Sequence, residues 1–196
     1  MRNPELTKEK ILKKSGLLFN TQGYKATSIS HITTATGFTK GAIYKHFKNK
    51  GELEKETLFH LSSQLFENLR IRIKEKKTAS EKLRTIFHYF ESYISNPPLK
   101  GGCPLMNAAI EADDGNPILR KGALKILNML REAIVTLLEN GIKFKQIKSS
   151  IDTEYFATLI IASLEGAIMM SKLRGNDEDI KRVIIHLDAQ LKEIEL

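Results

Sequence analysis

Among 196 residues there is one cysteine, Cys103, and no tryptophan. A lone thiol excludes an intrachain disulfide framework and any multi-cysteine metal site. Long hydrophobic runs are scarce as well. Stretches such as Ala157 to Leu164 are interrupted by Thr158 and Ser163 and fall short of the roughly 18–20 residues a membrane-crossing helix needs. The opening Met-Arg-Asn-Pro-Glu-Leu lacks the apolar core of a secretory signal. No segment alternates as a strand should, and neither an internal repeat nor a low-complexity tract is visible. These absences lead us to expect a soluble, cytoplasmic, all-α protein that needs no membrane, metal or cofactor.

What is present is charge of one sign, unevenly placed. Residues 1–50 carry ten Lys or Arg against two acids, Glu5 and Glu9, while the remaining 21 bases and 21 acids cancel. The whole formal excess of +8 therefore sits in the first quarter of the chain. A basic segment joined to a neutral body suggests a head that binds a polyanion. That segment is rich in Ile, Leu and Phe at helical spacing, so it is a folded head and not a solvated tail. At 41% hydrophobic and 28% charged overall, the chain has an ordinary globular composition and is long enough for one or two domains.

Periodicity predicts about nine helices. The first runs from Leu6 to Gln22, capped at Thr7, with Ile11, Leu12, Ser15, Leu18 and Phe19 on one face; Gly23 stops it. A short helix covers Ser28 to Ala35, opened by Thr27 or Ser28. A third runs from Thr39 to Phe47, with Ile43 and Phe47 turned inward. Asn49-Lys50-Gly51-Glu52 reads as a cap opening a long helix to Glu75, whose core stripe is Leu58, Leu61, Leu65 and Leu69. Thr78 to Glu81 is a second capping box, and Ser95-Asn96-Pro97-Pro98 breaks the helix it starts. After the Gly101-Gly102-Cys103-Pro104 loop come a short helix to Ala112, then helices over 117–140, 152–172 and 177–194.

Between Ser28 and Phe47 the pattern is short helix, glycine-containing turn, short helix, which is the helix-turn-helix arrangement. Gly37 supplies a positive φ at the turn. The second helix exposes Lys40, Gly41, Tyr44 and Lys45 while Ile43 and Phe47 anchor it. Long donors beside one small residue are what a groove-reading helix requires. Enzymatic patterns are missing. The five histidines show no His-x-x-x-His or His-Glu-x-x-His spacing. Ser92, Ser163 and Cys103 have no evident base, and Gly101-Gly102 is not followed by Lys-Ser/Thr. Glu111, Asp113, Asp114 and Asn116 are wrongly spaced for a calcium loop and read as a polar turn.

Ile11-Leu12, Leu18-Phe19, Gly23-Tyr24, Thr27-Ser28-Ile29, Ile32, Gly37-Phe38-Thr39-Lys40-Gly41, Ile43-Tyr44, His46-Phe47 and Lys50-Gly51-Glu52-Leu53 together resemble the N-terminal domain of the tetracycline-repressor (TetR/AcrR) family of bacterial regulators. The likeness covers about residues 5–65. Ser15, Thr33 and Thr36 depart from it, standing where the family usually has alanine. The resemblance implies a DNA-binding head at residues 1–50 and a dimerisation and effector-binding domain at 51–196. It implies that Thr39, Lys40, Gly41 and Lys45 face base edges, and that Thr27, Ser28, Tyr44, His46 and Lys50 meet phosphates. The partners it implies are a palindromic double-stranded operator, a second copy of the chain, and a ligand that releases a repressor from DNA.

In the body, Ile180, Ile184, Leu187 and Leu191 recur at steps of four, three and four, as in a coiled-coil seam. Ala162, Ser163, Gly166 and Ala167 on the preceding helix permit close approach. Together they read as a two-fold interface between copies, with an intrachain core as the other reading of the seam. Phe87, Phe90, Cys103, Met106, Phe156, Met169 and Met170 suggest walls of a pocket for a small, largely apolar molecule, with ordinary core packing as the other reading of each. The competing functional class is a helical adaptor whose basic head binds an acidic partner protein.

Overall fold

The computed structural model describes residues 3–112 and 115–196. Among these the elements are nine α-helices: α1 Pro4–Gln22, α2 Ile29–Thr36, α3 Lys40–Tyr44, α4 Lys50–Lys74, α5 Ala79–Ser95, α6 Pro104–Ala112, α7 Pro117–Lys143, α8 Thr153–Arg174 and α9 Glu178–Ile194. No strand forms among the described residues; an isolated antiparallel bridge pairs Ile147 with Glu195. The Asp113-Asp114 part of the polar turn lies outside the described residues.

Helix starts follow local chemistry. The α1 cap is Asn3 and not Thr7, because Asn3 accepts from the Glu5 and Leu6 amides and Pro4 has no amide to satisfy. Ser28 and Thr78 make full capping boxes with His31 and Glu81 at N3. Asn49 Oδ1 accepts from the Glu52 amide at 2.9 Å, and the Glu52 carboxylate reaches back to the Lys48 amide. Thr39 caps α3, which ends at Tyr44 and is shorter than the spacing predicts.

Contacts divide the chain into two compact units. The first is Met1–Leu65 with Leu99–Leu127. Its core holds Ile11, Phe19, Tyr24, Ile32, Ile43, Phe47, Leu53 and Leu58, each at most 1% exposed. Burying side chains of this kind contributes about 1.5–3 kcal/mol each. Gly16 lets α1 approach α4: a Cβ there would stand 2.8 Å from Leu61. The 101–104 loop is pinned to α1. Asn20 Nδ2 donates to the Lys100 and Gly102 carbonyls, and Asn107 donates to Asn20. Gly101 has φ 101°, and a Cβ on it would meet the Asn20 carbonyl oxygen at 2.1 Å, so only glycine fits.

The second unit is Phe66–Pro98 with Asn128–Leu196, in which α8 and α9 pack on each other and on α5. Here one expectation is corrected. Ile180, Ile184, Leu187 and Leu191 are all buried within a single chain, so the seam is intrachain core. A step of four and three marks an apolar face equally well whichever chain covers it. On α8, Ala162 is exposed, Ser163 and Gly166 are half-buried and Ala167 is buried. By length and composition α8 is apolar enough to cross a membrane. One stripe of it, from Ala157 to Ile168, is core, while Met169, Met170 and Leu173 are exposed.

The pocket expectation is also revised. Phe87 and Phe90 are buried on α5, Cys103 is buried, and Met106 and Phe156 are half-buried. Met169 and Met170 are 45% and 41% exposed on α8, so neither is an interior wall of this chain. The second unit instead carries an open apolar groove of about 530 Å³ lined by Phe66, Leu69 and Ile73 of α4, Ile86 of α5, and Met129, Leu130, Ala133 and Leu137 of α7.

Candidate nucleic-acid interface

The α1–α2 turn is built around Gly23, at φ 90°. Thr27 Oγ1 donates to the Gly23 carbonyl at 2.7 Å, closing the turn, and Ser28 then caps α2. Gly37 takes the left-handed conformation, φ 74° and ψ 11°, and its amide bonds the Thr33 carbonyl. Thr36 Oγ1 donates to the Ile32 carbonyl and accepts from the Phe38 amide. That second bond aims the chain from α2 into α3. Ile32, Ile43 and Phe47 are buried beneath the pair of helices. A two-helix element this short has little helical stability of its own and depends on such buried anchors.

The outward face of α3 is the one expected. Thr39, Lys40, Gly41, Tyr44 and Lys45 are exposed, and His46 is half-buried. Tyr44 is 38% exposed, with Lys40 Nζ 5.9 Å from its ring centroid. A Cβ added to Gly41 would meet nothing within 4 Å. Its smallness therefore serves no packing inside the chain, and the surface there is free to approach another molecule closely. Other bases of the head are engaged: Lys8 pairs with Glu56 at 2.7 Å and lies over Phe47, and Lys10 lies over Phe38. A lysine-bearing helix face with one close-approach point suits a DNA major groove.

Two of the phosphate-facing positions are corrected. Thr27 is wholly buried, its hydroxyl spent on Gly23. Lys50 Nζ donates to the Tyr24 carbonyl at 2.7 Å and sits 3.1 Å from Glu54 Oε1. It therefore ties α4 to the α1–α2 turn. The Tyr24 carbonyl lies 26 residues from Lys50, so that bond is set by tertiary folding, whereas Gly23 and Glu54 are each four residues from their partners. Ser28 is exposed, but its Oγ accepts from the His31 amide and its amide bonds His31 Nδ1. Sequence reasoning passed over His31; its place three residues after a serine was the available signal.

Sequence reasoning also missed Glu111 of α6, whose two carboxylate oxygens accept from the Tyr24 and Lys25 amides at 3.0 and 2.9 Å. Its second oxygen bonds neighbouring backbone of the turn that sets α2. Tyr24 itself is buried and stacked on Phe19, ring centroids 4.9 Å apart. Burial first, then the Glu54, Glu111 and Cys103 charges, push its phenol far above the usual range. Among the described residues no three His, Cys, Asp or Glu side chains gather as metal ligands do.

Comparison with known proteins agrees with this geometry. Residues 11–57 match the model of bacterial regulatory proteins of the tetR family, and residues 79–187 match the tetracyclin repressor-like C-terminal domain. A TetR transcriptional regulator from Chloroflexus aurantiacus superposes with TM-score 0.93 at 34% identity, over all of both chains. The HTH-type transcriptional repressor DhaR of Mycobacterium sp. is 23% identical over 90% of this chain and 88% of its own. FadR of Bacillus subtilis, solved in complex with stearoyl-CoA, shares the fold: TM-score 0.76 at 23% identity, over 93% of this chain and 96% of its own. With a helix-turn-helix head and a helical body both matched in place, the chain belongs to the tetracycline-repressor family of bacterial transcriptional regulators.

Proposed function

We propose that the protein is a dimeric repressor that binds a palindromic operator through Thr39, Lys40, Gly41 and Lys45, and leaves it when a small apolar molecule binds the body. The observation that carries the DNA reading is the α3 face, where exposed lysines flank a glycine with open space before it. Tyr44, His46 and Ser28 stand at its edges and are assigned to phosphates. In this reading residues 1–50 read DNA, and 51–196 serve dimerisation and effector binding, in the cytoplasm where the chromosome lies. The family is one of regulators and not of enzymes. An acidic protein partner would leave unexplained why this basic face carries a glycine with open space before it.

The dimer face we assign is the exposed side of α8 and α9. Ala162, Met169 and Leu173 on α8, with Ile185 on α9, are uncovered apolar or small groups, Leu173 and Ile185 at 81% and 70% exposure. A second copy of the chain would take these apolar side chains out of water. The effector site we assign is the groove between α4, α5 and α7, whose size suits a drug-sized or acyl-chain molecule. Arg70 and Glu132 are its charged groups and Thr136 its hydroxyl. FadR's stearoyl-CoA supports an acyl chain as the first compound to try.

The experiment selects duplexes from a randomised library with the full-length protein. A palindrome with half-sites about one helical turn apart, roughly 34–36 Å, is the expected outcome. Stearoyl-CoA and stearate are then titrated against the selected duplex complex. Release by either, abolished in Ala133→Phe, supports the groove. Selection of no duplex defeats the DNA reading.

A further inference from the structure

Tyr24 has both backbone polar groups held by side chains from other helices. Its amide donates to Glu111 Oε1 at 3.0 Å, and the next amide, of Lys25, donates to Oε2 of the same carboxylate at 2.9 Å. Its carbonyl accepts from Lys50 Nζ at 2.7 Å. Lys50 pairs with the buried Glu54, which in turn accepts from Asn116 Nδ2 at 2.6 Å. Glu111 closes α6 and Asn116 stands just before α7, so the turn that leads into α2 is gripped from α4 and from both sides of the α6–α7 connection.

Two consecutive amides cupping one carboxylate form a seat for an anion. The fit is close. A Cβ on Gly23 would lie 2.7 Å from Glu111 Oε1, and Gly23 holds φ 90°. Glycine is therefore required on two counts, backbone angle and room for the carboxylate. Four residues after Tyr24, Ser28 caps α2, and α2 carries α3 by direct packing. Wherever the Tyr24 peptide stands, the recognition face stands with it.

We propose that Glu111 is a positioning residue for DNA reading: through this seat α6 sets the place of α2 and α3, and a change in α6 reaches the recognition face as the making or breaking of one carboxylate contact. The inference rests on the DNA-binding role proposed above. It carries a sign that separates it from plain electrostatics. Glu111 is a negative charge on the unit that meets DNA. As a bystander, its removal tightens binding to every duplex by lowering repulsion. As a positioning group, its removal weakens binding to the selected operator in spite of that gain.

The test uses full-length wild type, Glu111→Gln and Glu111→Ala, with the duplex that wild type selects from a random library and a scrambled duplex beside it. Affinities are measured together with melting temperature and hydrogen exchange at the Tyr24 and Lys25 amides. Glu111→Ala is expected to lose about ten-fold on the selected duplex and to stay within about two-fold on the scrambled one, with faster exchange at both amides. Glu111→Gln keeps one acceptor oxygen and falls between. Equal or tighter binding of the selected duplex by Glu111→Ala overturns the proposal. So does a parallel loss on both duplexes that tracks a lower melting temperature. If wild type selects no duplex, the functional reading fails first and takes this role with it.

Discussion

Lys50 and Glu54 stand one turn apart on α4, with the ammonium 3.1 Å from a carboxylate whose side chain is only 5% exposed. The pair answers a question of role for Lys50. A phosphate clamp would present its charge outward, whereas here it serves the buried Glu54 and the Tyr24 carbonyl. Lys50→Ala should accordingly cost about 2–3 kcal/mol in urea unfolding, since it leaves a buried carboxylate with Asn116 as its remaining partner. The salt slope for random duplex should stay as in wild type. A slope flatter by about one unit with stability intact would return Lys50 to the phosphates.

Gly41 separates stability from recognition. Alanine is the better helix former by roughly 0.5–1 kcal/mol, and its methyl would meet nothing in the chain. Gly41→Ala should thus melt slightly higher than wild type. In the proposed DNA reading the same methyl stands where α3 would approach the groove, so operator affinity should fall. A variant both more stable and equally tight on DNA would remove Gly41 from the contact face.

Lys45 is exposed beside Gly41 and Tyr44. If it reads a base edge bidentately, Lys45→Ala loses about 1–3 kcal/mol on the selected duplex and relaxes preference at one position of each half-site. Binding to random duplex changes by a single charge's share. Repeating the library selection with the variant reads this directly, and an unchanged consensus would assign Lys45 to phosphate.

The α8–α9 face and the α9 core respond differently to the same substitution. Leu173 and Ile185 are exposed, whereas Leu187 is 3% exposed. Ile185→Glu should leave a folded chain that sediments as a monomer and binds operator weakly. Leu187→Glu buries an unpaired charge, costs several kcal/mol and should unfold the second unit before any question of assembly arises. Finding Ile185→Glu still dimeric at micromolar concentration would move the interface elsewhere.

Local patterns were legible where cause and effect lie within one turn. Gly37, Ile43, Phe47 and the Thr78–Glu81 box needed only spacing to be found, and the structure has them doing what spacing implies. Lys50 misled because its partner Tyr24, 26 residues away, is brought to it by tertiary folding, and Thr27 because the turn buries its hydroxyl against the nearby Gly23 carbonyl. Glu111 was out of reach for the same reason as Lys50, its amides lying 87 and 86 residues away. The α9 stripe shows a different limit. Heptad spacing reports that a face is apolar, and α5 and α8 of the same chain happen to cover it.

Arg84 on α5 holds α9 and its C-terminal cap, bonding Asp188 through Nε and Glu195 through Nη2 at 2.8 Å. The Arg84 bond, followed by burial that works against it and then the Lys192 bond, leaves the Asp188 carboxyl below the ordinary aspartate range. A carboxyl depressed in the folded state stabilises that state above its unfolded value and loses the contribution as pH falls through its folded value. The loss therefore belongs to the acid range, from about pH 5 downward, and nothing from this pair changes between pH 6 and pH 8. Both side chains are about a quarter to a third exposed, so solvent screening holds the effect near 1 kcal/mol. Asp188→Asn should lower the melting temperature at pH 7 and flatten its fall between pH 5 and pH 3 relative to wild type. Parallel wild-type and variant curves across that range would show that Arg84 leaves the Asp188 carboxyl at its unfolded value.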